Sequence, residues 1–322
     1  MKISFITTVF NEEKTIAGLL ESLDSQTKIP DEVIIVDGGS SDRTVAEIKN
    51  HPFGKLRTRK SKIKNINLFK ILVKKGNRSI GRNEAIKNAT GDIIVCTDAG
   101  CVLDKNWIRN IIKPFENKKV DVVAGYYKGL GETFFEKSLV PYVLVMNDRV
   151  DPKNFLPATR SMAFKKSIWE KIGGFDEKLS HNEDYVFSQK LKKVKANIKF
   201  AKNAIVFWEP RKNAKEAFIM FFRFALGDAE TGIFRPKVIL IFGRYITGLF
   251  LLNIYFFTDQ IFIAVLILIL LINYILWSIL KNYRYVRNSK AIFYLPLLQF
   301  LSDFAVITGT VSGFISRLGK RS

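Results

Sequence analysis

The chain has only two cysteines, Cys96 and Cys101, in 322 residues. Two thiols at that spacing supply neither a disulfide framework nor a metal-ligand pattern, so they fit a reducing compartment. Acidic residues are also scarce: 30 Asp and Glu stand against 51 Lys and Arg, a formal net charge of +21. A chain this basic calls for an anionic partner: phospholipid, nucleic acid or a phosphorylated substrate. Two phosphate-gripping signatures are missing. The first strand is not followed by G-x-G-x-x-G, which sets aside a nicotinamide enzyme, and there is no G-x-x-x-x-G-K-[ST], which sets aside a P-loop ATPase. Internal repeats and low-complexity tracts are lacking too. No cleavable signal is expected ahead of the fold, because Ile3–Val9 already reads as a core strand.

What the chain has in quantity is apolar sequence, 48% of its residues, unevenly spread. It concentrates in three late stretches, 238–257, 261–280 and 291–315. The middle one holds no charge and only Asn273 and Ser278 as polar breaks. It matches the about 20 residues an α-helix needs to cross a bilayer, with a buried core helix as the alternative. Arg244 lies inside the first stretch, where it can snorkel to headgroups; Pro296 and Asp303 interrupt the third. Each of these two is read as spanning or lying in the interface, against a soluble helix. Gly309 and Gly313 stand four apart, a spacing that lets membrane helices approach closely. The segment 281–290 carries four basic residues and no acid, as cytoplasmic loops do. A hairpin of the first two stretches then leaves the amino-terminal domain in the cytoplasm. Arg317, Lys320 and Arg321 conflict with a third full span, so the third segment is expected to lie in the interface or re-enter. Ten Lys or Arg and no acid between Lys55 and Arg78 read as a patch for anionic lipid headgroups or a lipid-linked phosphate, with a solvated loop as the alternative. Nucleic acid is set aside as a partner, since the membrane segments already account for the basic charge.

Strands and helices alternate through about residue 125, which argues for a doubly wound, Rossmann-like sheet. Asn11 is placed to cap the helix after the first strand. The expected division is an α/β domain over 1–235, including an amphipathic interface helix over 214–226, and a membrane region over 236–322. Two buried strands end in acid: 33–36 run into Asp37, and 93–97 into Asp98. Carboxylates at the carboxyl edge of a parallel sheet face the crevice where open α/β folds hold ligands.

The set Thr7-Thr8-Val9-Phe10-Asn11-Glu12, Asp37-Gly38-Gly39-Ser40-Ser41-Asp42, Gly81-Arg82-Asn83, Gly91-Asp92, Asp98-Ala99-Gly100, Gly173-Gly174-Phe175-Asp176 and Glu183-Asp184 stands in the order found in family-2 glycosyltransferases of the GT-A fold. The chain resembles that family from about residue 2 to about residue 227, which implies an α/β domain on a doubly wound, Rossmann-like mixed sheet. The resemblance implies that Thr8, Asn11 and Glu12 border a nucleotide pocket and that Asp37 accepts a hydrogen bond from the base. Asp98 then faces ribose and diphosphate, with Arg82 and Asn83 in the same pocket. It further implies an inverting transfer from a UDP- or GDP-sugar, with Asp184 as the base and Glu183 holding the acceptor or raising the pKa of the base. The acceptor is expected to be lipid-linked or a membrane-proximal glycan. For three residues a structural alternative stays open: Asp37 as a turn cap, Arg82 in an ion pair, Asp184 as a helix-start carboxylate.

Two departures stand out. The family usually has a second Asp where this chain has Gly100, so a divalent cation, Mg or Mn, would rely on Asp98 with substrate phosphates, and on Glu209 as a further ligand. The Gln-x-x-Arg-Trp of chain-building synthases is replaced by Phe221-Phe222-Arg223-Phe224, which implies a single addition. The competing reading is a membrane-anchored nucleotide-sugar-binding protein without turnover.

Overall fold

The computed structural model describes residues 1–51, 68–233 and 235–319. Most of the basic run that starts at Lys55 lies outside the described residues. The chain divides into two compact units, one of residues 1–129 and 146–209, the other of residues 130–145 and 210 onward.

The first unit is built on eight strands: β1 (Ile3–Val9), β2 (Glu32–Asp37), β3 (Leu68–Val73), β4 (Ile93–Cys96), β5 (Cys101–Leu103), β6 (Val122–Gly129), β7 (Met162–Lys165) and β8 (Ile198–Trp208). They lie in one sheet in the order β3-β2-β1-β4-β7-β6-β8-β5. β3, β2, β1 and β4 run parallel, and β7 enters antiparallel to both β4 and β6. β1 and β2 are buried almost throughout, the continuous apolar pattern of strands covered on both faces. On one face α3 (Arg78–Lys87) and α7 (Glu183–Lys193) pack a core that includes Ile6, Val36, Ile86, Phe164, Phe187 and Leu191. On the other, Leu19, Leu20 and Leu23 of α1 (Ile16–Asp24) and Trp107 of α4 (Trp107–Ile112) are buried, and Trp107 meets Phe5 edge-on at 6.3 Å. α2 (Thr44–Asn50) follows β2, and α6 (Lys166–Lys171) follows β7.

Sequence reasoning missed β5 and β7, three and four residues long, and the first half of β8. These segments are too short or too polar to show a period of two. β5 and β7, antiparallel to their neighbours, make the sheet mixed, as the resemblance implies.

The second unit contains α5 (Phe134–Val143), α8 (Ala214–Thr231), α9 (Pro236–Thr258), α10 (Ile261–Val286) and α11 (Ala291–Gly319). A capping box starts α5: Thr133 and Glu136 each satisfy the backbone N–H of the other. α9, α10 and α11 are long and apolar enough to cross a membrane, at 23, 26 and 29 residues, and α11 runs on through Pro296. Gly309 and Gly313 let α11 press on α8, since a Cβ at either would strike the carbonyl oxygen of Phe222 or Leu226. Arg244 does not snorkel. It turns inward to Asp303 at 3.2 Å, and Tyr245, Tyr274 and Gln299 also donate to that carboxylate. An acid buried among apolar helices is costly unless paired, so Asp303 is the joint that draws α9, α10 and α11 together.

Candidate functional site

Parallel β2, β1 and β4 bring their carboxyl ends to one edge, and loops from the first two form a joined rim. Asn11 is not a helix cap. It adopts a left-handed φ of 55°, its N–H donates to Ser40 Oγ at 2.9 Å, and its Oδ1 accepts from the Ser41 N–H at 2.9 Å. Thr15 occupies the cap position of α1 instead. The Glu12 N–H donates to Thr44 Oγ1 at 2.7 Å, while its carboxylate accepts from Thr15 Oγ1. Asp37 is 2% exposed and takes the N–H groups of Gly39 and Ser40 at 2.9 and 3.0 Å and the Ser40 hydroxyl at 2.5 Å. Its carboxylate closes the turn, the structural alternative that the sequence left open beside contact with a base. Thr8 meets the first turn of α3 at Gly81, where an added Cβ would lie 2.8 Å from Thr8 Cγ2. Glycine there lets α3 approach β1 and carries Arg82 beneath the crevice.

Arg82 is the centre of the arrangement. It is 2% exposed, and its two terminal nitrogens divide between Glu183 Oε1 at 2.7 Å and Asp98 Oδ1 at 2.9 Å. One cation thus joins the end of β4 to the start of α7, from positions far apart in sequence. Burial alone would favour its neutral form, but Glu183 and then Asp98 outweigh this and raise its pKa above the ordinary value. Burial likewise works against the Asp98 carboxylate, yet Arg82, Arg160 and Arg78 together hold its pKa below the usual range. Asp184 goes the other way. Burial first and the Glu183 charge second raise its pKa, and Asp98 adds to this, against Arg82 and the Tyr185 N–H that donates to Oδ1 at 2.8 Å. A carboxylate with a raised pKa beside an anchored acidic pair is suited to take a proton.

Asn83 is brought to a different place from the one expected. Its amide donates to Phe175 O and Glu177 Oε1 and accepts from the Phe175 N–H and Trp169 Nε1. With those bonds it fixes the 173–177 loop that leads toward α7. Arg160 and the aromatics near it were not singled out by sequence reasoning. Arg160 sits in a tight turn closed by the Ser161 N–H on Ala158 O, and its own carbonyl accepts from Thr97 Oγ1 at 2.8 Å. Its guanidinium lies 5.2 Å from the ring centres of both Tyr127 and Trp208. The sequence carried no signal for this; in the structure β7 pairs Met162 with Cys96, and that register continued brings Arg160 level with Asp98.

Among the described residues no three or more His, Cys, Asp or Glu gather into a metal site. Asp98 Oδ1 is taken by Arg82 and by Thr159 Oγ1, while Oδ2 accepts no hydrogen bond among the described residues and the side chain is 37% exposed. One free carboxylate oxygen fits a divalent cation that draws its other ligands from phosphate and water. Gly100 is not required by packing, since an added Cβ there meets nothing within 4 Å. Glu209 is exposed, immediately after β8.

A mixed sheet with carboxylates gathered at the carboxyl edge of its parallel half defines a site for group transfer. The description Glycosyl transferase family 2 matches residues 4–173, more than half of the chain. The O-antigen chain rhamnosyltransferase RfbN of Salmonella typhimurium is 25% identical over 247 residues, 73% of this chain and 72% of that protein. A poly(ribitol-phosphate) beta-glucosyltransferase of Bacillus spizizenii is 28% identical over 58% of this chain, and the match spans 29% of its own length. In fold, the mannosyltransferase PcManGT from Pyrobaculum calidifontis, solved with GDP-Man and Mn2+, covers 100% of this chain and 88% of its own at a TM-score of 0.63 and 14% identity. The chain belongs to glycosyltransferase family 2, with the GT-A fold. It is a nucleotide-sugar-dependent glycosyltransferase that carries three helices apolar enough to span a membrane.

Proposed function

We propose that this enzyme moves one sugar from a UDP- or GDP-sugar to a hydroxyl of a lipid-linked or membrane-proximal glycan, with inversion, and that Asp184 is its base. The supporting observation is the Arg82 bridge, which ties Asp98 and Glu183 to a single cation and so keeps Asp184 beside the Asp98 edge of the crevice. In this reading the acceptor oxygen attacks the anomeric carbon, its proton passes to Asp184, and the diphosphate departs. Glu183, anchored by Arg82, keeps Asp184 oriented and its pKa high. Thr8, Asn11 and Glu12 border the donor, and Asp37 and Asn83 fix the loops that frame it. Asp98 would hold a Mg or Mn ion, which supplies charge to the departing diphosphate when bound; Glu209 is a second candidate ligand. The names of the relatives, which concern an O-antigen chain and poly(ribitol phosphate), favour a glycan acceptor. The missing Gln-x-x-Arg-Trp favours a single addition. The basic loop between α10 and α11 favours a multi-pass membrane protein with the catalytic unit on the cytoplasmic side, near anionic lipid.

The experiment is release of nucleoside diphosphate by the detergent-solubilised full chain from a panel of UDP- and GDP-sugars, with and without Mg or Mn, followed by anomeric analysis of the product. Release with one donor and an inverted product is expected. Donor binding without release from any donor, in the presence of glycan-bearing lipid extract, would favour a binding protein instead; a retained configuration would remove Asp184 as the sole base.

A further inference from the structure

We propose that Arg160, held between the rings of Tyr127 and Trp208, is the cation that takes the diphosphate of the departing nucleotide. The proposal rests on the donor reading above. Arg82, which the resemblance puts in the nucleotide pocket, is buried and its terminal nitrogens are engaged by two carboxylates. A side-chain cation for the diphosphate, beside the divalent ion proposed on Asp98, must therefore come from another residue. Arg160 supplies one near Asp98, and its charge acts on both Asp98 and Tyr127.

The surroundings of Arg160 are those of a prepared ligand site. Its Nε is buried and meets no acceptor among the described residues, and among them the guanidinium has no ion-pair partner. Aromatic rings beside a guanidinium exclude water from its faces and leave the edges free, which suits in-plane, two-point binding of phosphate. The Arg160 carbonyl accepts from Thr97 Oγ1 at 2.8 Å, and the neighbouring Thr159 side chain donates from Oγ1 to Asp98 Oδ1 at 3.2 Å, which ties the turn to the end of β4. Tyr127 also feels the Asp184 charge, so the arginine and the base share one neighbourhood. During transfer the bond between the anomeric carbon and the phosphate oxygen breaks and its electron pair stays on the phosphate. The acceptor oxygen bonds to the carbon and gives its proton to Asp184. Arg160 meets the charge that develops on the diphosphate, where a fixed cation in a dry setting is most effective.

The test is binding of UDP and GDP to the solubilised full chain by calorimetry, comparing wild type with Arg160→Gln and Arg160→Lys. For the better-bound nucleotide, Arg160→Gln should weaken affinity by about tenfold or more. Arg160→Lys keeps charge but loses the planar fork, and should weaken it several-fold. If Arg160→Gln does not fold, Arg160→Lys decides. Wild-type binding that stays within about twofold in the folded variants would overturn the role of Arg160 and leave the donor reading standing. Failure of wild type to bind either nucleotide would overturn the donor reading itself.

Discussion

The two edges of the same sheet treat a buried carboxylate in opposite ways. At the amino edge Glu32 is fully buried, and its Oε1 accepts from Ser4 Oγ at 2.5 Å, the Thr90 N–H at 2.6 Å and the Gly91 N–H at 3.1 Å. Burial pushes its pKa up, but the Ser4, Thr90 and Gly91 donors outweigh this and hold it below the ordinary value. At the carboxyl edge burial first and the Glu183 charge second raise the pKa of Asp184, and the Arg82 charge and the Tyr185 N–H do not offset them. The first arrangement stabilises the fold; the second keeps a group unstable in its charged form and ready to bind a proton.

Removing the cation from the working edge should have the largest effect on stability. Arg82→Met leaves Glu183 and Asp98 without their shared partner, and a drop of about 3–5 kcal/mol is expected in thermal or denaturant unfolding, with loss of turnover. A variant as stable as wild type would show that the bridge is not what unites the site. At the structural edge Glu32→Ala should cost about 2–3 kcal/mol in the same unfolding measurement. Because the folded pKa of Glu32 is depressed, its contribution is whole above the unfolded value of about 4.3 and is lost as pH falls through the folded value. The acid-side loss of stability should therefore be shallower in Glu32→Ala, and an unchanged pH dependence would contradict the contrast. Gly100→Asp should have the smallest effect on folding, within about 0.5 kcal/mol, because the position opens on free space. The added carboxylate should lower the Mn concentration needed for half-maximal turnover, and an unchanged requirement would place the cation elsewhere.

Much of this was readable from residues alone, and the parts that were not share a cause. Asp98 and the Glu183-Asp184 pair stood out because acids at strand ends and helix starts follow visible apolar runs. Arg82 was named from the sequence, but its bridge was not, since nothing in the sequence says that positions 98 and 183 face it from two sides. Asp37 and Asn83 carry the same lesson: their polar atoms are spent on turns that only the folded backbone defines. Arg160 escaped because a lone arginine between Thr159 and Ser161 has no pattern. Its meaning comes from the antiparallel pairing of β7 with β4, and a four-residue strand leaves no periodic trace. In the second unit the hydropathy of α9 to α11 was plain, whereas the inward turn of Arg244 to Asp303 depends on how three helices meet.

The most direct measurement is the pH dependence of kcat/KM for nucleoside diphosphate release by wild type and Asp184→Asn. The raised pKa of Asp184 places the acid limb of the wild type above the ordinary carboxylate value of about 3.9, since the base must be ionised to accept a proton. Asp184→Asn should lose about 10²–10⁴-fold in rate and lack that limb, while melting no earlier than wild type. A variant that keeps both the rate and the limb would contradict the assignment of the base.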